Sequence, residues 1–271
     1  MKSLRIFTLL VALCSMSFAQ DLSYKTNLMI YSGTPQVHEP HEILYNDAFI
    51  VAYSEKYKAP LWVAYRTGNR KSKNDHQHYK WERPPRFIVD NRTEAKVTHD
   101  DYTSSGYQRG HMAPNALMYD QYGHMAQLET YLMSNVIPQT AKLNTGLWLK
   151  LETKVRTEIS QDDTRNKEIN QVFVITGPIF DKETPDTIGN GVAVPTRCFK
   201  ILAYRRGYRG TVKTVAFIFP QVPTKDSIWD YVVTVDEIEE ATGIDFYPEL
   251  TKRKQKNLES KKRNFKLEDL E

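Results

Sequence analysis

Five short runs of β-branched and aromatic residues constrain this fold more than any other feature. Phe49-Ile50-Val51-Ala52-Tyr53 and Leu61-Trp62-Val63-Ala64-Tyr65 come first, separated by a turn that contains Pro60. Val172-Phe173-Val174-Ile175-Thr176 follows, closed by Gly177-Pro178, and then Phe199 to Tyr204 and Val215 to Phe219. Branched and aromatic side chains suit a pleated, half-buried surface, so each run predicts a strand. Phe87-Ile88-Val89, after the break at Pro84-Pro85, is a shorter candidate. Between these runs the spacing turns helical. Leu143, Leu147, Leu151 and Val155 recur every four residues, and Leu128, Tyr131 and Leu132 suit a helix face within 126–134. Val235 to Thr242 predicts a short helix with Asp236 as N-cap and Gly243 as stop. Strands paired locally, with helices between groups of them, predict an α+β fold: a mainly antiparallel central sheet flanked by helices. No internal repeat is visible. No linker between Gly33 and Leu250 is long enough to divide the chain, so residues 20–250 are expected to form a single domain.

The two ends read differently. Lys2 and Arg5 precede an apolar run from Ile6 to Met16, and Ser17-Phe18-Ala19 ends in small residues where a signal peptidase would cut. Residues 1–19 therefore read as a signal peptide, and the mature chain as secreted or periplasmic. The apolar run is shorter than the roughly 20 residues a membrane-spanning helix needs. Leu13 before Cys14 does not suit lipid attachment, and no later stretch is apolar enough to make the membrane a partner. Loss of the leader leaves Cys198 as the sole cysteine, which excludes an intrachain disulfide and leaves burial to stabilise the fold. About 250 residues suffice for a large core. The formal net charge of +4 falls to +2 without Lys2 and Arg5, so composition does not demand a polyanionic partner. Past Pro248 the chain becomes rich in Lys and Arg; residues 251–271 read as a basic tail, disordered or a solvated helix.

Three polar segments stand out between the apolar runs. Tyr107-Gln108-Arg109-Gly110-His111-Met112-Ala113-Pro114 places Arg, Gly and His consecutively, with a glycine that permits close backbone approach beside an imidazole. Ser134-Asn135-Val136-Ile137-Pro138-Gln139 is a second polar cluster with a proline break. Leu143 to Glu152 carries Asn144 near the start of the helical stripe and Glu152 two turns later, on a similar face. Singly, His111 is a histidine on a turn, Asn144 a capping residue and Glu152 a solvated charge.

In order, the three segments resemble the DNA/RNA non-specific endonuclease family, which is built around a ββα-metal (His-Me) finger. The family core reads Arg-Gly-His, then Asn-x-x-Pro-Gln, then Asn-x-Gly-x-Trp-x-x-Leu-Glu. These occur as Arg109-Gly110-His111, Asn135 to Gln139 and Asn144 to Glu152. The likeness extends to Pro60–Tyr65, Thr176-Gly177-Pro178, Val194-Pro195-Thr196 with Lys200, and Thr242–Phe246, covering roughly Gly33 to Leu250. The resemblance implies a metal-dependent endonuclease that cuts DNA and RNA with little sequence specificity and leaves 5′-phosphate ends. His111 is implied as general base, a role that suits a group titrating near neutrality. Asn144 is implied as the ligand of Mg2+, with Mn2+ as the alternative; the ion would stabilise the leaving 3′-oxygen, and Glu152 would orient a water on it. Asn135 is expected to position His111 or the phosphate. Arg109 is expected to bind substrate. An arginine ahead of Phe87-Ile88-Val89-Asp90 should reach the phosphoryl oxygens, with Arg83 the first choice and Arg86 the second. Many members carry Asp where this chain has Gln108, a departure that bears on the charge around the histidine.

Other features carry less. His38-Glu39-Pro40-His41 has the wrong spacing for a zinc protease, and Pro40 would break the required helix. His76 and His78 sit in a polar stretch and read as solvated. The sequence leaves monomer and homodimer both open. Two rivals remain: an inert relative that only binds nucleic acid, for which Gln108 is the sole support, and an enzyme for small phosphodiesters.

Overall fold

The computed structural model describes residues 23–68, 84–159, 169–206 and 211–262. Its strands, in chain order, begin with β1 (Gln36–Val37), β2 (Glu42–Tyr45), β3 (Phe49–Ser54) and β4 (Ala59–Gly68). β5 (Gln108–His111) and β6 (Val136–Gln139) follow, then β7 (Ile169–Ile179), β8 (Thr187–Ile188), β9 (Val192–Ala193) and β10 (Arg197–Arg206). The last are β11 (Val212–Pro220), β12 (Val232–Val233) and β13 (Ile244–Asp245). Seven of them form one sheet in the order β12-β11-β10-β7-β4-β3-β2, antiparallel at every pairing. All five apolar runs lie in it. β5 pairs with β6 as a separate ribbon, as do β1 with β13 and β8 with β9.

Both faces of the sheet are covered, which explains why its strands are apolar throughout rather than alternating. On one face Phe49, Val51, Val63 and Tyr65 pack against Met112, Leu117, Leu143 and Trp148. On the other, Ile50, Ala52, Trp62 and Ala64 pack with Val235, Ile238, Phe246 and Leu258. The first face carries α1 (Asn115–Tyr122), α2 (His124–Glu129) and α3 (Leu149–Lys154); the second carries α4 (Val235–Thr242) and α5 (Lys252–Glu259). The architecture is α+β with an antiparallel central sheet, as the sequence predicts.

Several local expectations need correction. Gly177-Pro178 does not close β7; the strand runs through to Ile179, and Gly177 is required because a Cβ there would lie 2.4 Å from the Leu61 carbonyl oxygen. Pro60 lies inside β4, opposite Tyr53, at a register shift rather than in a turn. Phe87-Ile88-Val89 makes one bridge, Ile88 to Leu132, instead of joining the sheet. α4 is capped by Thr234, not Asp236: the Thr234 hydroxyl accepts from the Glu237 amide while Glu237 reaches back to the Thr234 amide. Gly243 ends the helix at φ +70°, as expected.

The basic segment after Pro248 is also more ordered than its composition suggests. Residues 252–259 form α5, in which Gln255, Leu258 and Glu259 are buried and the Thr214 hydroxyl donates to the Leu258 carbonyl at 2.7 Å. One apolar residue placed against the sheet outweighs the solvated face around it. Among the described residues, no helix is long and apolar enough to cross a membrane. The signal-peptide segment 1–19, Arg83, His76, His78 and the end of the basic tail lie outside the described residues.

Candidate active site

His111 ends β5, and Asn144 and Glu152 stand on the helical segment that follows β6; together these elements are the ββα unit. The segment is not one continuous α-helix. Leu143–Trp148 winds as a π-type turn interrupted at Gly146 (φ −100°, ψ −115°), and α3 begins only at Leu149. A single-turn π segment often marks a functional position, because it re-aims side chains that a regular helix would stack. The apolar stripe still holds: Leu143, Leu147, Leu151 and Val155 are all buried.

Gly110 and Gln139 explain each other. A Cβ on Gly110 would lie 2.2 Å from Gln139 Oε1, so the glycine makes room for the fully buried glutamine of the neighbouring strand. Gln139 Nε2 in turn donates to Cys198 Sγ at 3.6 Å, which ties the ribbon to β10. The Arg-Gly-His and Asn-x-x-Pro-Gln segments are thus one packed unit.

Trp148 lies four residues after Asn144 and four before Glu152, and it links their helix to the histidine. Its indole N–H donates to the His111 carbonyl at 3.3 Å. The His111 ring is flanked by Phe87, with centroids 5.0 Å apart, and by Tyr131, edge-on at 5.5 Å. Asn144 Nδ2 donates to Gln108 Oε1 at 2.8 Å, which leaves the Asn144 carbonyl oxygen as the donor free for a ligand. Gln108 therefore supplies an acceptor oxygen where a carboxylate would also serve, without the charge.

Glu152 is 15 % exposed and faces Lys200, which is fully buried on β10; Nζ and Oε1 are 3.6 Å apart. The Lys200 ammonium also sits 4.3 Å from the centroid of the Trp148 ring. Burial pushes the Glu152 carboxyl up to about 7, opposed by the charge of Lys200. Burial likewise lowers the Lys200 ammonium, opposed by Glu152. Neither Glu152 Oε1 nor Lys200 Nζ has a hydrogen-bond partner among the described residues.

The remaining predicted residues make the following contacts. Asn135 is fully buried. Its Oδ1 accepts from the Ala113 amide at 2.8 Å, and its Nδ2 donates to the Ala113 and Thr130 carbonyls. The side chain fixes the backbone just after His111 rather than touching a substrate. Arg109 donates through Nε and Nη2 to the His99 carbonyl and through Nη2 to Thr103 Oγ1, so most of its fork is committed to a neighbouring turn. Arg86 is exposed and pairs with exposed Asp100 at 2.5 Å. Asp90 is buried and accepts from Arg92 and from Ser134 Oγ, which fastens the Phe87–Asp90 segment to the turn carrying Asn135.

Sequence reading gave no site role to Phe87, Tyr131, Trp148 or Lys200. Two signals were available. Trp148 shares a helix face with Asn144 and Glu152, and Lys200 is the lone charge within the apolar run Phe199–Tyr204.

The oxygen donors fit a hard divalent cation. Asn144 offers a carboxamide oxygen, and the Glu152 carboxylate, whose Oε1 faces Lys200, adds a negative group two turns along the same segment. The chain is 27 % identical over 219 residues to the mitochondrial nuclease EXOG of Xenopus laevis, covering 75 % of this chain and 58 % of that protein. It is 27 % identical over 258 residues to a nuclease of Nostoc, covering 89 % and 88 %. A solved complex of EndoG with EndoGI superposes with a TM-score of 0.66 at 22 % identity, over 84 % of this chain and 93 % of that one. The model of the DNA/RNA non-specific endonucleases matches residues 26–253, which include every segment that builds the site, and the chain belongs to that family.

Proposed function

We propose that this protein is an endonuclease that hydrolyses the phosphodiester bonds of DNA and RNA with little sequence preference, using His111 as general base and a divalent cation, Mg2+, held by Asn144. The observation that carries this reading is the coupling of the three groups. Trp148 bonds the His111 backbone to the helix of Asn144 and Glu152, and Gln108, on the strand of His111, holds the Asn144 amide. When bound, the cation supplies charge compensation for the phosphoryl oxygens and the departing 3′-oxygen. His111 takes the proton of the attacking water, for which a neutral imidazole at working pH is suited. Phe87 and Tyr131 hold the imidazole between them and limit its rotation. Asn135 supports the backbone beyond His111, and Lys200 fixes the carboxylate of Glu152. Contacts confined to phosphate and sugar carry no sequence information, which accounts for low specificity.

Supercoiled plasmid and a structured RNA, each incubated with Mg2+ and separately with EDTA, test the reading. The wild type should cleave both with Mg2+ and neither with EDTA. His111→Ala and Asn144→Ala should each reduce cleavage by a factor of at least about 100, the lower end of what a general base contributes. If the purified wild type leaves both substrates intact with Mg2+ or Mn2+, the enzyme reading fails and nucleic-acid binding without cleavage takes its place. Residues 1–19 support export, and N-terminal sequencing of the mature protein from periplasm or medium should begin at Gln20; a retained leader in a cytosolic product would refute it.

A further inference from the structure

Three carboxylates meet on the face of the sheet opposite the ββα unit. Asp236 and Glu239 lie three residues apart on α4 and so project from one side of the helix. Glu259 is the last residue of α5. One oxygen from each lies within 4.8 Å of the others. Glu259 is only 4 % exposed, and its Oε1 is buried with no hydrogen-bond partner among the described residues.

This is an unfavourable arrangement for three anions alone. Like charges at this separation repel, and the carboxylate of Glu259 stands at the negative end of the α5 dipole. No Lys or Arg among the described residues forms an ion pair with any of the three; the nearby Lys262 is used by Glu237 at 3.0 Å. Lys252 and Lys256 contribute only at longer range. Asp245 adds a fourth negative group, with its Oδ1 accepting from Gln255 Nε2 at 2.6 Å. Part of Glu239 is also used, since its Oε1 accepts from the Phe246 amide at 2.9 Å. Burial and mutual repulsion push Glu259 up to about 8 and Glu239 up to about 7. The two would hold protons near neutrality unless a cation compensates them.

We propose that Asp236, Glu239 and Glu259 bind one Ca2+ ion, separate from the catalytic cation, which clamps α5 onto α4. An all-oxygen donor set favours a hard cation over zinc or copper. Oxygens that all lie within 4.8 Å of one another can share one Ca2+, whose ligands stand about 2.3–2.6 Å from the ion and whose coordination tolerates irregular carboxylate sets better than the strict octahedron of Mg2+. Water and the exposed Asp236 would complete the coordination. The orphaned oxygen of Glu259 is then a ligand, and the repulsion is neutralised.

The test is Ca2+ titration calorimetry on the full-length Asn144→Ala protein, with and without Glu259→Gln, alongside thermal unfolding in Ca2+ and in EDTA. Asn144→Ala should bind one Ca2+ equivalent that Glu259→Gln removes. Ca2+ should raise the Tm of the wild type by several degrees and leave that of Glu259→Gln unmoved. In EDTA, Glu259→Gln should unfold no earlier than the wild type, because it relieves repulsion. If Asn144→Ala binds no Ca2+ at millimolar concentration, or binds it equally after Glu259→Gln, the proposal is wrong and the carboxyls share protons instead. Should Glu259→Gln fail to fold, Asp236→Asn, at an exposed position, carries the same comparison and the same criteria. Nuclease activity plays no part in either readout, so the outcome is independent of the proposed reaction.

Discussion

At the scale of single residues, Gln108 shows how a departure from a family pattern can keep its geometry. The contact made by its side chain is with the Asn144 amide, and a glutamine carbonyl accepts that bond as a carboxylate would. Gln108→Ala should release Asn144 and weaken Mg2+ binding about tenfold, the scale typical for groups that orient a metal ligand. Gln108→Asp should keep the affinity or raise it. Mg2+ titration of both variants checks this, and equal weakening by Ala and Asp would rule out the orienting role. Asp90 acts on the site through the backbone. Burial alone would raise its pKa, but hydrogen bonds from Arg92 and Ser134 outweigh burial and hold it below the ordinary 3.8. A depressed carboxyl stabilises the fold above its unfolded value and loses that contribution as pH falls through the folded value. Stability from Asp90 is therefore complete near neutrality and declines below about pH 4. Asp90→Asn should cost about 1.5–3 kcal/mol at pH 7 and flatten the acid limb, as urea unfolding across pH 2–7 would show.

At the scale of elements, the site depends on how a helix meets a strand. The π-type turn at Leu143–Trp148 and the α-helix after it present Trp148 to both His111 and Lys200. Lys200 comes from β10, near the middle of the central sheet, and reaches Glu152 from beneath. Removing one partner of a buried ion pair is more damaging than replacing both with apolar groups. Lys200→Met should therefore destabilise the protein by about 3–5 kcal/mol, whereas Lys200→Met with Glu152→Leu should recover most of that loss. Cleavage should be lost in both variants. Denaturant melts beside plasmid assays separate the two effects, and a double variant as unstable as Lys200→Met would show that the pair is not what carries the energy.

At the scale of the whole molecule, one sheet separates two packed layers. The side with α1–α3 carries the residues proposed for catalysis; the side with α4 and α5 carries the acidic cluster. Cys198 lies between the layers, fully buried, its thiol pushed up to about 12 by burial. A thiolate reagent should therefore react with it only on unfolding, and the rate of labelling should follow the global unfolding rate across a denaturant series. Rapid labelling of the native protein would contradict a continuous core.

What the sequence determined by itself is the five long strands of the central sheet, the α+β class and the order of the three chemical segments. Long apolar runs and fixed spacings are local properties, and the five runs survive as strands and the Leu143–Val155 spacing as a buried stripe, whereas Phe87–Val89 makes only one bridge and the helix expected within 126–134 ends at Glu129. Tertiary structure decided the rest, because each remaining feature depends on residues far apart in the chain. Gly110 is explained only by Gln139, and Glu152 only by Lys200. For Asn135 the sequence leaves open whether it positions His111 or the phosphate; only the fold shows its hydrogen bonds going to the backbone of Ala113 and Thr130, beside His111. Arg109 and Arg86 look like free phosphate-binding charges in the sequence, yet their partners, the His99 carbonyl and Asp100, become visible only after folding. Of the two readings of the basic tail, disorder or a solvated helix, the fold shows a helix over Lys252–Glu259 with one face buried. Composition reports average solvation, whereas a single buried face against the sheet decides whether a segment docks.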